Sequence, residues 1–346
     1  MRIAQVAPLF ESVPPLRYGG TERVVASLTD ELVRRGHDVT LFASGESQTR
    51  ARLVAARGRA LRFDPEPGDE LAPQVHQVTQ VLERADEFDL IHCHIGYLGL
   101  LLGRLVRTPT VHTLHGRLDR PSMRPVYRHF RDLPLVSISD AQRAPLEGLG
   151  VRWAGTVHHG LALDRFPFSP RGGRYLAFLG RVSPEKGLDT AIEVAQRAGR
   201  PLKIAAKVDR ADEMYFERVI RPLLSRPGVE FLNEIGDEAK AEFLGGALAL
   251  LFPIDWPEPF GLVMIEALAC GTPVIARPFG SVPEVIVPGT GFLGRSVDEL
   301  VAAVRRVDTI DRAQCRRHVE ASFSIARMVD RYEAIYADLL RTRRAA

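Results

Sequence analysis

The chain has 346 residues, of which 45% are hydrophobic and 26% charged, a composition that supports a large buried core and two domains of ordinary size. A net charge of +3 is too mild to call for nucleic acid as a partner, and the positive charge is nearly all arginine, with only Lys186, Lys203, Lys207 and Lys240 as lysines. Cys93, Cys270 and Cys315 are few and scattered, which excludes a disulfide framework and fits a reducing, cytoplasmic setting.

In chain order, IAQVAPLF (3–10) reads as a strand that starts almost at the first residue, so no secretory leader is expected. TERVVASLTDELVRRG (21–36) reads as a helix. Val24, Val25, Leu28 and Leu32 recur at helical spacing, Thr21 is placed to cap its start, and Gly36 is placed to end it. DVTLFAS, FDLIHCH, TPTVHTLH and PLVSIS follow as strands. The most apolar stretch, IGYLGLLLG, has nine residues, well short of the ~20 needed to cross a bilayer. GTVHHGLALDRFPFSPRGGR is rich in Gly, Pro and polar residues and reads as a linker. After it the pattern restarts: YLAFLG, PLKIAAKVD, VEFLNEI, ALALLFP and TPVIARP read as strands with helices between them. Residues 325–340 read as a last helix, followed by a basic tail. Alternation of this kind predicts two α/β, Rossmann-like, doubly wound domains, 1–163 and 164–322, followed by a last segment, 323–346. Ligands of such folds bind beyond the carboxyl ends of the strands, so loops after strands are where chemistry is expected.

Several of those loops carry polar residues, each with a plain alternative. Gly19-Gly20 precedes a helix start, where backbone amides can approach phosphate or sugar oxygens; the alternative is a turn into a helix. It is not a GxGxxG, so no dinucleotide cofactor is expected. FLGRVSPEKGLD places Arg181 and Lys186 beyond a strand, a pair suited to a diphosphate; the alternative is two solvated cations. His92 and His94 in HCH share one side of a strand, but a metal needs three or four ligands and no supporting cluster is evident, so none is expected. His115 ends the TVHTLH strand and would face the ligand side, although a lone histidine is more often structural. In PEPFGLVMIEALACGTPVIA (257–276), two prolines hold Glu258 outside a helix that should run from near Phe260 to Gly271. That start would leave the amides of Phe260, Gly261 and Leu262 free. Glu266 sits among Leu262, Ile265 and Ala269, where a carboxylate needs hydrogen-bond donors, and sugar hydroxyls are suitable ones. The alternative is one exposed glutamate and one favoured by the helix dipole.

Together these residues resemble the retaining glycosyltransferases of family 4, the group 1 glycosyltransferases, which have the GT-B fold of two Rossmann-like domains facing each other across a cleft. The resemblance covers nearly the whole chain and implies that the helix in 323–346 crosses back to the N-terminal domain. It rests on Glu258-Pro259-Phe260-Gly261-Leu262 through Glu266 (the family's E-x7-E element), on ALACGTPVIA and GSVPEVI, and on LGRVSPEKGLDTAIEVA, YGGTERVVASLTDELVRRGHDVTLFAS and DLIHCH. It implies that Arg181 and Lys186 hold the donor diphosphate and that Gly20, Gly261 and Leu262 lie against it. Glu258, Phe260 and Gly261 would take the transferred sugar, Glu266 the ribose, and His115, with Glu258, the active centre beside the sugar. Departures from the family pattern are His159-Gly160 where Asn-Gly is common, Ala206-Lys207 where glycines are frequent, and FLNEIGD, which departs from the usual glycine after that strand. Lys207 would therefore reach the phosphates or the base and Ile235 would pack near the base, which places both on the nucleobase side.

The resulting expectation is a cytoplasmic, metal-independent enzyme with no cofactor. It would move a hexose, glucose by preference, from a UDP-linked donor to an unidentified acceptor by front-face substitution, with domain closure excluding water. A non-catalytic nucleotide-sugar-binding protein and a nucleotide-sugar epimerase or phosphorylase are the rivals. Arg117, Arg120, Arg124, Arg128 and Arg131 could meet an anionic acceptor or lipid headgroups in weak peripheral contact, or form a solvated basic face.

Overall fold

A computed structural model describes residues 1–16, 19–63 and 68–345, without the side chains of Asp237 and residues 343–345. Arg17 and Tyr18, before the Gly19-Gly20 pair, lie outside the described residues, as does the final residue of the basic tail. The chain forms two compact units, Met1–Gly160 with Ile325–Ala346, and Leu161–Ser324. The division falls at 160/161 and 324/325, against 163/164 and 322/323 as read from sequence.

The first unit is built on a seven-stranded parallel sheet: β1 (Arg2–Val6), β2 (Asp38–Ser44), β3 (Arg52–Arg57), β4 (Leu90–Cys93), β5 (Thr110–Leu114), β6 (Leu135–Ser137) and β7 (Trp153–Thr156), in the order β3-β2-β1-β4-β5-β6-β7. β1, β4 and β5 are almost entirely buried, as strands covered on both faces must be. The helix Gly20–Arg34 buries Val24, Val25, Leu28 and Leu32, the face that their spacing predicts. It begins one residue earlier than expected, with Gly19 rather than Thr21 at its cap position. The C-terminal helix, Ile325–Ala345, packs in this unit, and Arg35 ties it down through Asp330 and Glu333, both at 2.6 Å.

The second unit carries a six-stranded parallel sheet: β8 (Leu176–Arg181), β9 (Leu202–Lys207), β10 (Val229–Phe231), β11 (Ala249–Phe252), β12 (Val274–Ala276) and β13 (Gly291–Leu293), in the order β10-β9-β8-β11-β12-β13. Leu176, Phe178, Ile192, Ile204, Leu251, Ile275 and Leu300 meet in its core. Both sheets reverse their winding once, between β1 and β4 and between β8 and β11. Those are the points where a doubly wound sheet leaves a crevice at its carboxyl edge.

Three strands were not read from the sequence. β3 and β13 are half-exposed, and β13 has three residues, so neither shows a continuous apolar run. β7 includes Gly155 and Thr156, which the linker reading had absorbed. Among the described residues no helix is long and apolar enough to cross a membrane.

Candidate functional site

In the second unit, β8 delivers Arg181 at its end, in register with Lys207 on β9. The chain then makes the Pro184–Lys186 turn and leaves it through Gly187, which adopts φ 69°. A Cβ on Gly187 would lie 2.3 Å from the Pro253 carbonyl oxygen, so only glycine lets this turn close onto the end of β11. Lys186 thereby reaches Glu258, 72 residues away, and its Nζ ion-pairs with Glu258 Oε2. Trp256 Nε1 donates to the same oxygen at 3.1 Å, and Lys186 Nζ stands 4.8 Å from the Trp256 ring centroid. A buried carboxylate thus has a cation and an indole N–H on one oxygen.

Arg181 is held by acidic neighbours: Glu185 at 2.6 Å, Asp212 at 3.7 Å and Asp209 at 4.0 Å. Lys207 also pairs with Asp209. Burial lifts the Asp212 carboxyl above its ordinary range against the pull of Arg181. For Glu185 burial acts upward too, but its own backbone hydrogen bond and Arg181 together bring it down. Ile235, half-buried, follows β10.

The helix after Glu258 differs from expectation. It runs Leu262–Ala269, with Gly261 at its N-cap in the left-handed region, φ 78°, and Gly271 just beyond its end. Phe260 is not its first residue: its ring is buried and meets Phe323 edge-on at 5.9 Å, so any contact Phe260 makes with a ligand goes through its backbone. The GSVPEVI segment holds this loop from behind. A Cβ on Gly280 would lie 2.3 Å from the Glu258 carbonyl oxygen, Ser281 N–H donates to that oxygen at 2.9 Å, and Ser281 Oγ donates to the Phe260 carbonyl at 2.8 Å. Glu266, only 3% exposed, is met by Lys240 Nζ at 3.0 Å.

In the first unit, His115 follows β5 and its Nε2 lies 2.8 Å from His94 Nδ1. His94 Nε2 is 2.8 Å from Gln5 Oε1, and the His159 ring stacks on His115 at 5.2 Å. His92 bonds through Nδ1 to Tyr336 Oη and through Nε2 to Thr113 Oγ1, both at 2.7 Å. Thr113 Oγ1 meets Tyr332 Oη at 3.1 Å. Burial depresses these imidazoles: His92, His94 and His159 fall well below the usual range, and His112 and His115 fall to about 3. Among the described residues no group of three or more His, Cys, Asp or Glu is disposed to hold a metal ion, and the HCH pair is engaged in hydrogen bonds instead. Gly20 opens the Gly20–Arg34 helix, and Glu22 in its first turn is buried, which pushes its carboxyl up to about 7. Of the basic segment, Arg117 pairs with Asp119 at 2.7 Å and Arg124 donates to the Pro145 carbonyl, while Arg120, Arg128 and Arg131 are exposed.

Sequence reasoning missed Trp256, Lys240, Gly280, Ser281, Gln5 and the tyrosines of the C-terminal helix. Gln5 had a visible signal, a lone amide in an otherwise apolar strand. GSVPEVI was noticed as a motif but given no task. His94 was weighed only as a metal ligand.

The chain matches the family model described as "Glycosyl transferases group 1" over residues 163–321 and "Glycosyltransferase Family 4" over residues 18–165. It is 26% identical to a phosphatidyl-myo-inositol mannosyltransferase of Mycobacterium leprae over 337 residues, covering 88% of each chain. Its fold is similar to that of AviGT4, a glycosyltransferase involved in avilamycin A biosynthesis (TM-score 0.76, 26% identity, 99% and 98% of the two chains). It is also similar to Anabaena HepE in complex with UDP-glucose (TM-score 0.72, 19% identity, 100% of both chains). With both halves matched in order and the two doubly wound sheets in place, the chain belongs to the group 1, family 4 glycosyltransferases and has the GT-B fold.

Proposed function

We propose that the chain transfers a hexose from a UDP-linked donor to an acceptor hydroxyl with retention of the anomeric configuration. The observation that carries this reading is the meeting of Lys186 with Glu258 beside Trp256, at the carboxyl ends of the two strands that flank the switch point of the second sheet. Arg181 and Lys186 supply the positive charge for a diphosphate, Arg181 as a planar fork and Lys186 as a point charge. Arg181 stands among three carboxylates and Lys186 on one, so an entering diphosphate has to draw both cations away from partners of the same charge. Once Lys186 turns to the phosphates, Glu258 is released to accept hydrogen bonds from sugar hydroxyls. Lys240 holds and orients one oxygen of Glu266, leaving the other for the ribose. The amides of Phe260, Gly261 and Leu262 lie at a helix start, where developing negative charge is favoured. Gly20 is assigned to the phosphate or acceptor side, Lys207 and Ile235 to the nucleobase, and His115 to the transferred sugar.

With the leaving diphosphate neutralised by these groups, the reaction needs no divalent metal and no cofactor. The leaving phosphate itself takes the acceptor's proton in front-face substitution. Three free, buried cysteines are in keeping with a cytoplasmic enzyme. A mannosyl donor is the second reading, favoured by the mannosyltransferase relative. The test is a donor panel containing UDP-glucose and GDP-mannose with an acceptor library, read by mass spectrometry and by the anomeric proton signal of the product. Nucleotide released only when acceptor is present identifies a transferase. Tight nucleotide-sugar binding without turnover on any acceptor favours a non-catalytic binding protein, and an inverted product rules out retention.

A further inference from the structure

The sheet of the first unit carries an unusual polar layer. Strands β1, β4 and β5 are neighbours, and Gln5 pairs in register with His92. Side chains two apart on a strand share a face, so Gln5, His92 with His94, and Thr113 with His115 converge there. The C-terminal helix covers them with Tyr332 and Tyr336. Everything in this layer except His115 is buried, and His115 is half-buried.

The donors and acceptors of this layer can be counted. Gln5 presents Oε1 to His94 Nε2 at 2.8 Å and Nε2 to Tyr336 Oη at 3.4 Å. An amide oxygen only accepts, so His94 carries its proton on Nε2 and leaves Nδ1 as a lone pair. His115 Nε2, 2.8 Å from that lone pair, must then be the N–H donor. His115 Nδ1 is left unprotonated, and it is buried with no partner among the described residues. The other branch closes consistently: Tyr336 O–H donates to His92 Nδ1, His92 Nε2–H to Thr113, and the Thr113 hydroxyl to Tyr332. Turning the Gln5 amide over would place an N–H against His94 Nε2 and invert both imidazoles. His115 would then hold an unmet N–H at Nδ1, and an orphaned buried donor is rarer in proteins than an unfilled acceptor.

We infer that Gln5 and His94 are positioning residues that fix the tautomer of His115, so that its Nδ1 is an acceptor for a hydroxyl of the bound sugar. This rests on the assignment of His115 to the sugar made above. Burial keeps His94 and His115 neutral at pH 7, which the relay requires. The groups bearing on His94 are themselves imidazoles, His92, His115, His159 and His112. Since each would repel a charge on the next, the array stays neutral as a set.

The experiment uses the full-length protein labelled with 15N-histidine. Long-range proton–nitrogen correlation spectra at pH 7.5 should show His94 and His115 both protonated at Nε2 and unprotonated at Nδ1. A proton on His115 Nδ1 overturns the inference without any variant being made. Gln5→Leu removes the acceptor, whereas Gln5→Glu keeps an oxygen facing His94. In folded protein Gln5→Leu should lower kcat about tenfold, the loss expected for one net hydrogen bond, with UDP affinity and donor KM unchanged. Gln5→Glu should restore kcat. Wild-type kcat in Gln5→Leu, or equal losses in both variants, refutes the relay. His115→Ala separates the two claims: turnover at the wild-type rate would sink the assignment of His115 to the sugar and leave the tautomer result standing.

Discussion

Acidification should destabilise the first unit selectively. His92, His94, His112 and His159 are each at most 4% exposed, and burial holds all four below the ordinary imidazole range. Their folded pKa values are depressed, so the folded state stays neutral at pH 5.5 while the unfolded chain, titrating near 6.5, takes up protons. The stabilisation is therefore complete above pH 6.5 and is lost as pH falls below it. Between pH 7.5 and 5.5 each site loses about 1.4 kcal/mol, and the four together about 6 kcal/mol. Glu22 acts in the opposite sense. Its carboxyl is raised to about 7, so the folded state binds a proton that the unfolded chain releases above about 4.5, which returns about 2 kcal/mol over the same interval. A net loss of about 4 kcal/mol is a large share of the 5–15 kcal/mol that typically holds a protein folded. The chain has two tryptophans, Trp153 on β7 and Trp256 beside Lys186, so each unit has its own fluorophore. In the Trp256→Phe variant the urea transition of Trp153 should move to much lower denaturant at pH 5.5. In Trp153→Phe the transition of Trp256 should move far less, because His318 is the only histidine between residues 161 and 324. A Trp153 transition indifferent to pH across this window would mean that the imidazoles are not held neutral by burial.

Lys186→Ala should weaken UDP binding by about 1.5–3 kcal/mol through loss of a charge-assisted contact, and calorimetry on folded variant giving wild-type affinity would contradict the diphosphate assignment. His115→Ala should bind UDP normally yet lose most transfer activity, so an unchanged turnover number counts against its role at the sugar. Gly280→Ala would press a methyl group onto the Glu258 peptide; kcat/KM for the donor should drop at least tenfold, about 1.4 kcal/mol, and wild-type kinetics would show that the loop is not held from behind. The initial rate in excess EDTA should equal that with added Mg²⁺ or Mn²⁺, and a rate abolished by chelator and restored by metal would refute charge neutralisation by Arg181, Lys186 and the backbone amides.

Much of this was written in the order of residues. The 3.6-residue recurrence of Val24, Val25, Leu28 and Leu32 and the apolar runs of β1, β2, β8 and β9 are local, and local patterns survive into the fold because neighbours along the chain must share one buried face. Arg181, Lys186 and Glu258 were likewise visible at ends of predicted elements, and Glu266 inside a predicted helix, together with their charges. What no local pattern carried was their partners. Glu258 was read as a ligand for a sugar, but in the fold it is first a counter-ion for Lys186, 72 positions away. Glu266 was known to need a donor, and Lys240 became that donor only when two helices were brought side by side. The HCH pair was weighed as a metal fragment because sequence spacing is all that a metal motif offers. Gln5 lies 89 residues from His94, and Tyr336 lies 244 from His92; parallel strand order and the return of the C-terminal helix turned those side chains into a hydrogen-bonded layer. Residue type determines what a buried polar group must find, but which atom satisfies it depends on chain crossings that are remote in sequence and adjacent only in the packed sheet.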